Sequence, residues 1–128
     1  MMRESEFKST SGLARIVRAT RYSYDGLQEA WRVEYAFRQE LIVALVLTPI
    51  ALFLPVPAIE KLLLIGSFVI VLIVELLNSA IEAAIDHTSL ERHPLAKRAK
   101  DLGSAAVMLA LMLSAATWLV VIAGIAVR

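Results

Sequence analysis

The stretch LLLIGSFVIVLIVELLNSAIEAAID, Leu62–Asp86, decides how the rest of the chain is read. It begins with 13 uncharged residues between Lys61 and Glu75 and stays apolar afterwards, except for Glu75, Asn78 and Glu82 before Asp86 closes it. At roughly 1.5 Å per residue it is long enough to cross a ~30 Å hydrocarbon layer. A carboxylate inside such a span costs about 2.5–3.5 kcal/mol on insertion scales, so Glu75 and Glu82 mark a functional site. At about 100° per residue they share one helix face with Asn78, Ser79 and Asp86, giving a single polar stripe.

The flanking sequence repeats the membrane signal. Between Glu40 and Glu60 lie 19 uncharged residues, and Leu102 to Val127 adds 26 more. The whole chain of 128 residues is 59% hydrophobic and 20% charged, with mean hydropathy +0.70. Soluble domains run about 45–50% apolar and about 25% charged. The pattern predicts an all-α membrane protein of one domain: a flexible N-terminus over 1–10, an amphipathic surface helix over 11–35, spans over 36–56, 61–86 and 100–127, and a loop over 87–99. Pro49 is a kink point inside the first span, and Pro55 and Pro57 with Glu60 and Lys61 end it in a short solvated turn.

Leu13, Ile16, Val17, Tyr24, Leu27, Trp31 and Tyr35 recur at helical spacing, with Arg15, Arg18 and Arg21 on other faces. This reads as a helix lying in the headgroup layer, bending at Gly26, or as a solvated helix packed on the protein's own surface. Seven Lys and Arg residues precede the first span and four lie between the second and third, against one each at Lys61 and Arg128. The positive-inside rule then puts the N-terminus and the 87–99 loop in the cytoplasm and the C-terminus outside.

With no cysteine, thiolate catalysis, disulfides, zinc ribbons and iron–sulfur clusters are excluded. The polar start MMRESEFKST is not a signal peptide. A net charge of +1 argues against a nucleic-acid partner. Gly12, Gly26, Gly66, Gly103 and Gly124 are too scattered for a phosphate-binding glycine loop. His87 and His93 have no third ligand at zinc spacing. Ala106, Ala110 and Ser114, and Ser79 with Ala83, read as close helix packing. Trp118 reads as lipid or core packing.

Seven residues are roughly 10 Å of helical rise, too far for Glu75 and Glu82 to share one Mg²⁺ comfortably at ~2.1 Å. Glu82, Asp86, Glu34 and Asp101 come to one level, beside Arg15, Arg38, Lys97, Arg98 and Lys100. Hard oxygens suit Mg²⁺ and the cations suit phosphate. Glu75, about two turns deeper, suits a general base toward a hydroxyl arriving from the lipid side. Glu34 and Arg38 could equally form a plain i, i+4 surface pair. Two classes stay open, a membrane enzyme acting on a lipid headgroup and a small proton- or cation-coupled transporter relaying through Glu75. The cluster's position towards one membrane face, among Arg and Lys, favours phosphate chemistry. Three spans are too few to enclose a nucleotide and a lipid, which argues for a site shared between subunits.

The run E-L-L-N-S-A-I-E-A-A-I-D from Glu75 to Asp86, then R-A-K-D-L-G-S-A-A from Arg98, resembles the prokaryotic integral-membrane diacylglycerol kinase family. E-A-W from Glu29 and E-Y-A-F-R-Q-E from Glu34 match the segment before its first span, and the likeness runs from about Gly12 to Trp118. The resemblance implies a homotrimer in the bacterial inner membrane that transfers the γ-phosphate of MgATP to diacylglycerol; related small kinases of the same fold use undecaprenol. It implies Glu75 as general base, Asn78 as polar support, and Glu34 and Glu82 as metal ligands. Nucleotide contacts fall on Arg15, Tyr22, Glu34, Glu82, Glu91, Arg92, His93, Lys100 and Asp101. Lipid contacts fall on Ala19, Arg21, Ser23, Asp25, Trp31, Ala36, Arg38, Glu40, Ser104 and Trp118.

Overall fold

The computed structural model describes residues 11–88 and 93–128; the expected N-terminal tail over 1–10 and the candidate nucleotide contacts Glu91 and Arg92 lie outside them. Four helices follow in order: α1 Ser11–Val33, α2 Tyr35–Phe53, α3 Ala58–Thr88 and α4 Pro94–Ala126. No strand occurs among the described residues. Helices α2, α3 and α4 are each long and apolar enough to cross a membrane. Their large apolar side chains are turned outward, including Leu45, Ile73, Leu77, Leu109 and Leu119. That surface suits hydrocarbon, and the chain is an all-α membrane protein.

Helix α1 runs without interruption through Gly26. The break falls at Glu34, an extended residue (φ −102°, ψ 102°) between two helices. Its N–H still reaches Ala30 O at 2.9 Å, and its carbonyl accepts from Arg38 N at 3.1 Å. One residue therefore reorients the chain without losing the flanking hydrogen bonds. Among the residues of α1 whose burial is described only Ala30 is buried, and the helix packs against the bundle chiefly through α2.

Helix α2 continues past Pro49. Proline lacks the N–H that would bond one turn back, and Thr48 beside it turns its hydroxyl to Ala44 O at 2.6 Å. The turn after Phe53 is not simply solvated. Lys61 Nζ donates to Leu52 O at 2.6 Å, satisfying a carbonyl at the α2 C-terminus. Arg128 binds both Glu60 oxygens, at 2.8 and 3.0 Å, which ties the end of α4 to the start of α3.

Helix α3 buries Leu64, Ser67, Phe68, Val71 and Glu75, steps of three, one, three and four along one stripe. Its main partner is α4, which buries Gly103, Ala110 and Val121. Ser67 and Ser114 hydroxyls meet across this seam at 3.0 Å. Ala51, Leu64 and Val121 form the buried apolar cluster, with Trp118 packed against it. The expected small-residue seam is partly displaced: Ala106 is exposed. Gly103, seven residues before Ala110, takes its place on the packing stripe.

Of the expected loop over 87–99, residues 87–88 belong to α3 and 94–99 to α4. His93 caps α4, its Nδ1 accepting from Leu95 N at 3.1 Å, and Pro94 occupies the first turn where a missing N–H costs nothing. Lys97, Arg98 and Lys100 thus project from helix, at fixed spacing, rather than from a loop.

Candidate active site

The polar stripe of α3 reaches its neighbours at one end of the bundle. Glu75 is 8% exposed, and its Oε2 is buried without a hydrogen-bond partner. Glu82 and Glu34 lie within electrostatic reach of it, and so does Glu40 of α2. Four carboxylates, Glu75 and Glu82 of α3, Glu34 at the corner between α1 and α2, and Glu40 of α2, therefore lie near one another at this end of the bundle. The break at Glu34 is what brings its side chain there, since it lies at the corner between α1 and α2 rather than on either helix.

Asn78 lies one turn from both Glu75 and Glu82. Its Nδ2 donates to Glu82 Oε1 at 3.3 Å, while its Oδ1 is buried and unpartnered. Glu40 Oε2 and Trp118 Nε1 are the other buried side-chain atoms without partners among the described residues. Leaving such atoms unpaired costs about 1–3 kcal/mol each. Three of the four lie near Glu75; the Asn78 oxygen is lodged against α4 at Gly103, which leaves the Glu75 and Glu40 lone pairs for a ligand's donors or a cation.

Three or more ligating side chains do not form a metal cage among the described residues. Glu34 and Glu82, both near Glu75, still carry hard oxygen donors. Two carboxylates suit a cation that arrives with its other oxygens, as Mg²⁺ does on a polyphosphate.

Of the cations expected to meet phosphate, the two lysines are held in ion pairs. Lys100 Nζ pairs with Asp86 at 2.8 Å, and Lys97 with Asp101 at 2.6 Å. Both pairs are largely exposed, and such pairs are worth at most about 1 kcal/mol, so they exchange readily for a phosphate. Arg38 does not pair with Glu34; its guanidinium lies over the Tyr35 ring, 5.7 Å from the centroid. That leaves the Glu34 carboxylate free of the i, i+4 pair read from the sequence.

Of the remaining candidate positions, Arg15, Ala19, Arg21 and Tyr22 are exposed along α1 and Ala36 at the start of α2. Ser23 lines a groove of about 650 Å³ between α1 and α3, together with Glu34, Ser79 and Ala83. Ser79 and Ala83 therefore face this groove rather than a helix seam. Asp25 and Trp31 line a second groove of about 690 Å³ that reaches Leu41. Glu40 opens onto an apolar cleft of about 550 Å³ with Phe68, Val71 and Leu111. Ser104 is exposed on α4. Trp118 packs inside the bundle, stacked on Phe68 with ring centroids 6.4 Å apart.

Two features were missed in the sequence. Glu40, expected only as a lipid contact, joins the carboxylates around Glu75, an approach between helices that no spacing within one helix reveals. Gly103 of α4 is buried against the Asn78 amide, so closely that any side chain there would collide with it. A glycine in a helix interior costs about 1 kcal/mol relative to alanine, which is the signal that could have drawn notice to it.

Comparison with known proteins identifies the family. The family model described as prokaryotic diacylglycerol kinase matches residues 21–122. The chain is 50% identical over 123 residues to the diacylglycerol kinase of Pseudomonas aeruginosa, covering 96% of this chain and 100% of that protein. It is 48% identical over 114 residues to that of Escherichia coli K12, covering 89% and 93%. With the Haemophilus influenzae diacylglycerol kinase it shares 44% identity over 109 residues, covering 85% and 92%. Matching along nearly its whole length, and with the carboxylate stripe of α3 inside the matched region, the chain belongs to the prokaryotic diacylglycerol kinase family.

Proposed function

We propose that the protein transfers the γ-phosphate of MgATP to the free hydroxyl of diacylglycerol, giving phosphatidic acid and ADP. The observation that carries this reading is the Glu75 carboxylate, buried, with one oxygen unpartnered, one turn from an Asn78–Glu82 hydrogen bond. It stands beside membership of a family whose relatives are named diacylglycerol kinases.

Glu75 takes the proton of the lipid hydroxyl as its oxygen bonds to the γ-phosphorus. The bond from that phosphorus to the β–γ bridging oxygen breaks, and the charge leaves with ADP. Glu34 and Glu82 would hold Mg²⁺, which when bound offsets phosphate charge. Asn78 keeps the Glu82 carboxylate oriented. Lys100 and Asp101, exchanging their present partners, and His93 at the α4 N-terminus contact the nucleotide, as do Arg15, Tyr22, Glu91 and Arg92. Lipid contacts fall on Ala19, Arg21, Ser23, Asp25, Trp31, Ala36, Arg38, Glu40, Ser104 and Trp118. The apolar cleft beside Glu40 and the exposed faces of α2 and α4 suit acyl chains.

The active form is a homotrimer in the bacterial inner membrane, N-terminus cytoplasmic and C-terminus outside. Charge supports the orientation, with seven basic residues before the first span against one after the third. Distance supports sharing between copies. Arg15 and Glu34 are 19 positions apart, about 28 Å along a helix, which is too far for both to serve one phosphate group from the same chain.

Purified protein offered MgATP with diacylglycerol or with undecaprenol tests the reading. Label passing from the γ-phosphate into diacylglycerol is the expected result. Preferential labelling of undecaprenol would reassign the substrate, and labelling of neither lipid would overturn the kinase reading.

A further inference from the structure

The glycines of this chain are not alike. A methyl group placed at Gly12, Gly26 or Gly66 meets nothing within 4 Å, and at Gly124 it meets only Arg128 Nη2, at 3.9 Å. At Gly103 the same methyl runs into the Asn78 side-chain amide. Gly103 is buried within α4 with no positive φ, so neither turn geometry nor backbone freedom calls for glycine there. What requires it is the space taken by one side chain of α3.

That side chain is fixed at both ends. An ionised carboxylate only accepts hydrogen bonds, so the Glu82 oxygen 3.3 Å away selects the Nδ2 side of the amide. Oδ1 is then turned the other way, onto the bare Gly103 backbone, where it is buried without a partner. The slot in α4 thus sets where the amide sits, and the amide in turn orients Glu82.

We propose that Gly103 is a positioning residue of the phosphoryl-transfer site: its missing side chain forms the slot that holds the Asn78 amide against α4 and so aims Glu82 at the metal–nucleotide. The proposal rests on the reading of Glu82 as a metal carboxylate. Gly103 itself touches no substrate; it acts through Asn78. Outer groups that orient a metal ligand change metal affinity by about 10–100-fold when lost, and the larger effect of a change at 103 is therefore on magnesium–nucleotide affinity rather than on folding.

The test uses full-length protein in detergent with four variants: Gly103→Ala, Asn78→Ala, the two together, and Gly66→Ala as a glycine in open space. MgATP binding is titrated across Mg²⁺ concentration, with the thermal unfolding midpoint alongside. Gly103→Ala is expected to raise the Mg²⁺ needed for half-saturation roughly tenfold, and Gly66→Ala to leave it unchanged. In the Asn78→Ala background the Gly103 change is expected to add nothing, because the amide it displaces is gone. Wild-type Mg²⁺ dependence in Gly103→Ala, or full additivity in the double variant, overturns the proposal. If Gly103→Ala alone fails to fold, recovery of the unfolding midpoint in the double variant supports the same collision, and failure of both overturns it. Because binding is read without lipid, absence of lipid phosphorylation in the wild type would strike the kinase reading and leave this result interpretable.

Discussion

The two ends of α3 spend their charges differently. At the Glu60 end the polar groups satisfy one another: Glu60 is bound twice by Arg128, and Lys61 closes on Leu52 O. At the Glu75 end Glu75, Asn78 and Glu40 each bury an atom with no partner, and the nearby lysines hold exposed, exchangeable acids. Between them lies the apolar cluster of Ala51, Leu64 and Val121. The first arrangement fixes helix ends, and the second leaves hydrogen-bonding capacity for a substrate. Polar residues in a membrane protein are thus sorted by whether the fold has already used them.

This contrast predicts that substitutions at the Glu75 end change chemistry and those at the Glu60 end change only stability. The largest effect is expected for Glu75→Gln, a loss of turnover of about 10²–10⁴-fold, as for removal of a general base. Glu82→Gln follows, weakening MgATP about tenfold or more in a binding titration while the unfolding midpoint holds. Equal loss of binding and turnover in both variants would break the division of roles. Leu64→Ala, in the apolar cluster, is expected to destabilise by about 2 kcal/mol, the low end for a buried leucine because lipid rather than water surrounds the bundle. Smallest is Arg128→Ala, at most about 1 kcal/mol for a partly exposed ion pair, with turnover unchanged. A large loss of activity in Arg128→Ala would erase the contrast.

Much of this was legible in the sequence because single-helix periodicity carries it. The uncharged runs mark α2, α3 and α4, and the spacing of Glu75, Asn78 and Glu82 puts them on one face. Contacts between helices were not legible. Glu40 reaches Glu75 from α2, Gly103 meets Asn78 from α4, and Arg128 finds Glu60 across 68 positions. The break at Glu34 carries no glycine or proline to announce it, whereas Gly26 and Pro49, the residues that usually do, lie inside unbroken helices. The start of α4 was legible in principle, since His93-Pro94 is a helix-opening pair; the charges that follow it read instead as loop.

The most direct test of the central claim is label transfer from γ-labelled ATP to diacylglycerol by Glu75→Gln at saturating MgATP, with nucleotide binding measured on the same sample. Near-wild-type binding is expected, with labelling of phosphatidic acid slowed about 10²–10⁴-fold. Labelling at the wild-type rate would contradict the assignment of Glu75 as the base.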